Sequence, residues 1–174
     1  MTKEKKILDP ASGSRMFYFD KKDNRVLFGD IRSERHTLSD GRKLIVEPDN
    51  ITDFRDLQFD DKQFKLVIFD PPHMTSLGKT SWMAKKYGVL GKDWHSDLKA
   101  GFDECWRVLD VNGTLIFKWN EYDILVSEIL SLFPQAPVMG HRSGKLSKTH
   151  WIVFFKSNNK IEELEETIME GQDD

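Results

Sequence analysis

No feature of the chain limits its fold more than the stretch Lys65-Leu66-Val67-Ile68-Phe69-Asp70-Pro71-Pro72-His73. Leu66, Val67, Ile68 and Phe69 form a short, partly β-branched apolar run, with the length and composition of a strand buried on both faces. Pro71 and Pro72 end that strand, because proline has no N–H to give a ladder and its φ is fixed. Asp70 and His73 therefore fall at the carboxyl edge of a parallel sheet, where open α/β sheets bind their ligands.

A chain of 174 residues is long enough for one domain with a substantial core. We expect that domain over 1–157, followed by an acidic tail over 158–174 in which Ile161, Leu164 and Ile168 fall at helical steps. A net charge of −3 excludes an overall polycation but leaves room for a local basic patch. The lone Cys105 rules out an intrachain disulfide and a cysteine-rich zinc site, and fits a reducing, cytoplasmic setting. No apolar run approaches the roughly 18 residues of a membrane span. Nor does an apolar core of the kind found in signal peptides follow Met1.

Taken in order, Lys6-Ile7-Leu8 reads as a brief strand that breaks into Asp9-Pro10-Ala11-Ser12-Gly13-Ser14. Such a small-residue loop lets backbone approach a ligand closely, and its alternative is a plain surface turn. Arg15 to Phe19 carries enough apolar surface to pack on the sheet. Gly13 lacks the partners of a G-x-G-x-x-G fingerprint, so no dinucleotide motif is present. Arg25 to Asp30 is a second strand ending in an acid, 17 residues past Gly13. An acid about 20 residues beyond a glycine loop holds ribose hydroxyls in nucleotide-binding α/β folds, since a carboxylate accepts two hydrogen bonds from a cis-diol. Ser39-Asp40-Gly41-Arg42 followed by Lys43-Leu44-Ile45-Val46 predicts a hairpin excursion. Asp53 then stands at the end of another strand or, equally, caps a helix or an Asx turn.

Residues 74–94 show little periodicity and mix Lys79, Lys85, Lys86 and Lys92 with Trp82, Tyr87 and Trp94. Lysines interleaved with flat rings suit phosphates and bases, although a solvated loop anchored by its aromatics would read the same way. Gly78-Lys79-Thr80 is not a P-loop, because His73 stands where the first glycine belongs. Trp94, Leu98, Phe102, Cys105, Trp106 and Leu109 recur at helical steps, predicting a helix over 93–109. Asn112-Gly113 turns the chain into a strand over 114–119. A helix is expected over 121–133, halted by Pro134, and a hairpin is expected from 137–141 and 150–156.

This order of loops, ending in Asp70-Pro71-Pro72-His73, resembles class I S-adenosylmethionine-dependent methyltransferases. More narrowly it is similar to the amino-methyltransferases with an Asp/Asn-Pro-Pro-aromatic signature, which modify adenine N6 or cytosine N4, and to small methyltransferases of bacteriophage and prophage. The resemblance covers about 7–156, and the segment from Val108 to Lys118 matches the family's helix, turn and strand after the catalytic motif. It implies a Rossmann-like α/β fold of three layers, with a mostly parallel seven-stranded sheet and an antiparallel C-terminal hairpin. S-adenosyl-L-methionine is the implied cofactor. Asp9, Pro10, Ala11, Ser12 and Gly13, with Ser14, would wrap its methionine portion. Asp30 would hold the ribose with Ile31 against the adenine, and Asp53 would reach the adenine amino group with Phe54 beside the ring. Asp70 and the Pro71 carbonyl would accept hydrogen bonds from a target amine, within a catalytic motif completed by Pro72 and His73. No metal is implied.

His73 departs from the aromatic residue the family usually carries there. Imidazole stacks with less area and also ionises or hydrogen-bonds. The expected acceptor is an exocyclic amine of a DNA or RNA base, with adenine N6 favoured. The alternatives are a small-molecule or protein acceptor, a non-catalytic partner subunit of the same fold, and a flavodoxin-like binding module. The chain has no spare length for a separate recognition domain, so recognition would fall to residues 74–94, the terminal hairpin, a partner or a second copy of the chain.

Overall fold

The computed structural model describes residues 4–38, 40–78 and 81–158. Seven strands build one sheet: β1 (Ile7–Asp9), β2 (Val26–Asp30), β5 (Asn50–Ile51), β6 (Phe64–Phe69), β7 (Leu109–Asn120), β8 (Met139–Arg142) and β9 (Thr149–Phe155). Their spatial order is β5-β2-β1-β6-β7-β9-β8. Neighbours are parallel from β5 through β7, and β9 runs antiparallel to both β7 and β8. The chain leaves β1 toward β2 and β5, then returns to place β6 on the other side of β1. The order thus reverses between β1 and β6, and the Asp70 motif follows directly on this switch point. The expected α/β fold, with a mostly parallel seven-stranded sheet and an antiparallel C-terminal pair, is what the chain adopts.

Strand alternation divides the sheet into two unlike faces. Val67, Phe69, Leu115, Phe117, Trp119, Ile152 and Phe154 are buried under α2 (Trp94–Val108) and α3 (Val126–Leu130). The helical spacing of Leu98, Phe102, Cys105 and Val108 gives α2 its buried stripe. Phe102 stacks on Phe133 at 3.9 Å and meets Phe154 edge-on at 5.0 Å, so helix, connection and sheet share one aromatic core. Burying each such side chain contributes roughly 1.5–3 kcal/mol before ordering costs.

The opposite face has no comparable helix among the described residues. There Phe28 is covered edge-on by Tyr18 at 4.8 Å and by the Arg15 guanidinium at 3.9 Å, both from the connection between β1 and β2. Beside this connection lies the expected hairpin, β3 (Glu34–Thr37) paired antiparallel with β4 (Lys43–Val46), which buries Leu44 and Val46. A loop and a hairpin stand where a second helical layer would be, which leaves the site walls on this side to irregular segments.

Two helix expectations need correction. The helix expected over 121–133 is only Val126–Leu130. The Trp119 indole N–H takes the Ile124 carbonyl at 3.0 Å and the Glu121 N–H bonds the Lys148 carbonyl, so the chain before α3 is tied to its surroundings rather than to itself. Conversely, the segment 74–94 contains a short helix, α1 (Trp82–Tyr87), whose N-cap Ser81 accepts from the Met83 N–H. No helix among the described residues is long and apolar enough to cross a membrane. The expected tail lies, from residue 159 on, outside the described residues.

Candidate active site

Asp9 closes β1 and Asp70 follows β6, so the carboxyl ends of two adjacent strands place two acids side by side. Asp9 is fully buried; the Tyr18 hydroxyl donates to its Oδ2 at 2.8 Å and the Ala11 N–H to its Oδ1 at 3.2 Å. Loss of water pushes its carboxyl up to about 7, with the nearby Asp70 adding to the effect. Burial pushes the Tyr18 hydroxyl upward as well, and Asp9 reinforces it.

Asp70 is handled differently. The Lys118 ammonium on β7 donates to its Oδ2 at 2.6 Å, while about a fifth of the side chain still meets solvent. Among the described residues no donor reaches Oδ1. Burial raises its pKa and Lys118 opposes that rise. The Lys118 ammonium lies beside the Phe17 and Trp151 rings, 5.5 and 5.7 Å from their centroids. His73 lies 5.5 Å from the Tyr87 ring and 6.4 Å from Trp119. Burial, reinforced by Lys118 and opposed by Asp123, holds its imidazole below the ordinary value, so the ring is neutral at pH 7.

The small-residue loop sits opposite this motif. Ala11, Ser12, Gly13, Asp70, Pro71 and His73 line one narrow cleft of about 40 Å³, closed by Arg32, Lys86 and Tyr87. Gly13 takes a left-handed φ of 51°, which a glycine adopts without strain. Close approach also explains Gly29, where an added Cβ would come within 3.3 Å of the Pro10 Cα and 2.6 Å of Thr52. A cavity of about 510 Å³ shares Met16, His73 and Tyr87 with the cleft and is lined also by Lys118, Asn120, Tyr122, Met74 and Met83. A second cavity of about 500 Å³ shares Gly13, Ser14, Met16 and Lys86 with the cleft.

The remaining expected residues lie around the cleft rather than in it. Asp30 is buried behind it, accepting from the Gly13 N–H at 2.9 Å and from the Arg32 guanidinium at 3.1 Å. Arg32 also donates to the Lys85 carbonyl at 3.0 Å, joining the end of β2 to α1. Ile31 is exposed. Asp53 forms an Asx turn, accepting the Arg55 N–H at 3.0 Å and pairing with its guanidinium at 2.6 Å. The Phe54 ring is turned inward, 5.3 Å from Phe69 and against Gly101 of α2. Pro72 packs on Gly88 past the end of α1.

Sequence reading missed Lys118, Tyr18 and Arg32. Lys118 did carry a signal, since it is the one charge within Leu115-Ile116-Phe117-Lys118-Trp119. A lysine placed at the carboxyl end of an otherwise apolar strand needs an anionic partner.

The fold has a known counterpart. The crystal structure of the PH0226 protein from Pyrococcus horikoshii OT3 superposes with a TM-score of 0.51 at 17% identity, covering 91% of this chain and 84% of that one. At that identity the likeness concerns the fold alone. No family model and no curated protein matches the chain.

Proposed function

We propose that the protein is an S-adenosylmethionine-dependent methyltransferase that acts on an exocyclic amine of a nucleic-acid base, with adenine N6 the favoured acceptor. The observation that carries this reading is the meeting of the Ala11–Gly13 loop with Asp70, Pro71 and His73 in one cleft at the switch point of the sheet. The residues there suit such a cofactor. The Ser12 hydroxyl is buried without a partner among the described residues, as expected of a group that waits for a ligand. Asp30 supplies an acid for a ribose diol, and Arg32 would yield its place on that carboxylate. When bound, the cofactor supplies an electrophilic methyl group on a sulfonium whose leaving group is a neutral thioether.

The chain's own residues prepare the acceptor. Asp70 Oδ1 accepts one amine hydrogen and the Pro71 carbonyl a second, which draws the nitrogen toward tetrahedral geometry and localises a lone pair otherwise delocalised into the base. Much of the acceleration then comes from alignment rather than from basicity. Lys118 is a positioning residue that fixes Oδ2 and favours the carboxylate. Neutral His73 and Tyr87 form the wall against which a flat acceptor rests.

The test is methyl transfer from isotopically labelled cofactor into DNA, RNA and protein, read by nucleoside and peptide mass spectrometry. Labelled N6-methyladenine that disappears in an Asp70→Ala variant with intact cofactor binding is the expected result. Full transfer by that variant would sink the mechanism, and label in protein alone would overturn the acceptor.

A further inference from the structure

The second cavity, of about 500 Å³, lies between the connection after β1, the β3–β4 hairpin and α1. Its wall carries Arg15, Lys21, Lys22, Arg42, Lys43 and Lys86 against one acid, Glu47, in a chain whose net charge is −3. Positive charge is therefore gathered here against the balance of the molecule. Part of it is already engaged: Arg15 is held by Asp49 and two backbone carbonyls, and Arg42 is paired with Asp40. Glu47 is likewise matched by Arg35. Lys21 and Lys22 are exposed, and their ammonium groups meet no acceptor among the described residues. Lys43 bonds only the Thr37 hydroxyl, and Lys86 lies over the Trp82 and Tyr87 rings. The groove keeps a surplus of cations that no anion among the described residues satisfies.

We propose that this groove carries the phosphodiester backbone of a single-stranded nucleic acid whose target base enters the cleft at Asp70. The inference rests on the acceptor class proposed above and assigns the polymer a path that the sequence reading placed on residues 74–94. Continuity is the first argument: Gly13, Ser14, Met16 and Lys86 line both groove and cleft, so a ligand filling both is one connected chain. Charge is the second, because cations spread along a concave wall match evenly spaced phosphates better than one compact anion. A flat face is the third: Trp82 is 55% exposed at the groove, and an aromatic platform beside cations is how single strands are held without sequence readout. A strand that is already unpaired also presents its amines without extraction from a duplex.

Fluorescence anisotropy of a labelled 20-nucleotide mixed-sequence DNA strand, titrated with the full chain at 50 and 200 mM salt, tests this. Each phosphate contact to a single strand contributes about −0.7 to the slope of log affinity against log salt, so four contacts weaken binding about 50-fold over that range. A Lys21→Gln/Lys22→Gln double variant removes two contacts and should lower the loss to about sevenfold. Both side chains are exposed, and unchanged circular dichroism will certify the fold. An unaltered salt slope in the double variant overturns the proposal. So does tighter binding of the matching duplex, or competition by inorganic phosphate as effective, per phosphate, as the strand. Binding is read without turnover. A wild type that binds but methylates no base would refute the acceptor and leave the groove, whereas methylation with an unaltered slope would refute the groove alone.

Discussion

Asp9 offers the sharpest physical test, because its ionisation couples the site to the stability of the whole fold. It is fully buried, hydrogen-bonded by Tyr18 and the Ala11 N–H, and paired with no cation among the described residues. Its carboxyl is raised from 3.8 to about 7, which corresponds to about 4 kcal/mol of preference for the neutral form in the folded state. A folded pKa above the unfolded one means that the folded chain keeps its proton to higher pH. The associated stability is complete below about pH 4 and is lost as pH rises through 7. The wild type should therefore give up about 4 kcal/mol between pH 4 and 8 through this one group. Asp9→Asn cannot ionise, and the Tyr18 hydroxyl can rotate to accept from the new amide. Urea titrations followed by tryptophan fluorescence should find the variant close to wild type at pH 4 and about 4 kcal/mol more stable at pH 8. A variant-minus-wild-type difference that stays constant across that range would refute the buried, unpaired acid.

Two further perturbations follow from the geometry. Gly101→Ala would set a Cβ 2.5 Å from Phe54 and 2.8 Å from Phe69, so crowding of about 1–3 kcal/mol should exceed the gain in helix propensity. A lower urea midpoint at unchanged m-value is the expected outcome. Lys118→Met removes the cation that opposes the raised pKa of Asp70, so the acid limb of the methyl-transfer pH profile should move to higher pH; an unmoved limb would exclude Lys118 as its partner.

What could be read from the chain alone was whatever local chemistry decides. Two prolines stopping an apolar run fixed the end of β6, and the carboxyl-edge rule then put Asp70 in the cleft. The run before Asp30 and the turn at Asp40-Gly41 located β2 and the hairpin in the same way. The rest needed register. Lys118 reaches Asp70 because Phe69 pairs with Phe117 across two strands far apart in sequence, which no local pattern reveals. The resemblance alone set Phe54 beside the cofactor, and the absent side chain at Gly101 is what leaves room for its ring against α2 and Phe69. The helix expected over 121–133 failed for a related reason. Its apolar spacing was sound, but the Trp119 indole takes the Ile124 carbonyl that its first turn would have used.

The three acids at the sheet edge also divide their roles through the company they keep. Asp30 is occupied by Arg32 and the Gly13 N–H, Asp70 by Lys118, and Asp9 by neutral donors only. At Asp9 the repulsion of the neighbouring acids adds to lost water, whereas at Asp70 burial raises the value and Lys118 opposes it. Groups driven to different ionisation by their surroundings are how one site keeps distinct proton-bearing and charge-bearing members. Lys118 makes Asp70 the member best able to stay anionic while facing an acceptor. Asp9, which lacks a cation, is the one that retains a proton near neutral pH. A native-like Asp9→Asn variant keeps a neutral group in that place, so it should stabilise the fold above pH 7 yet leave the ionisation of Asp70 unchanged wherever Asp9 already holds its proton. The acid limb of methyl transfer should then stay in place, in contrast to the upward shift expected of Lys118→Met. A limb that moves with Lys118→Met but not with Asp9→Asn would tie that limb to Asp70; displacement by Asp9→Asn alone would assign it to Asp9.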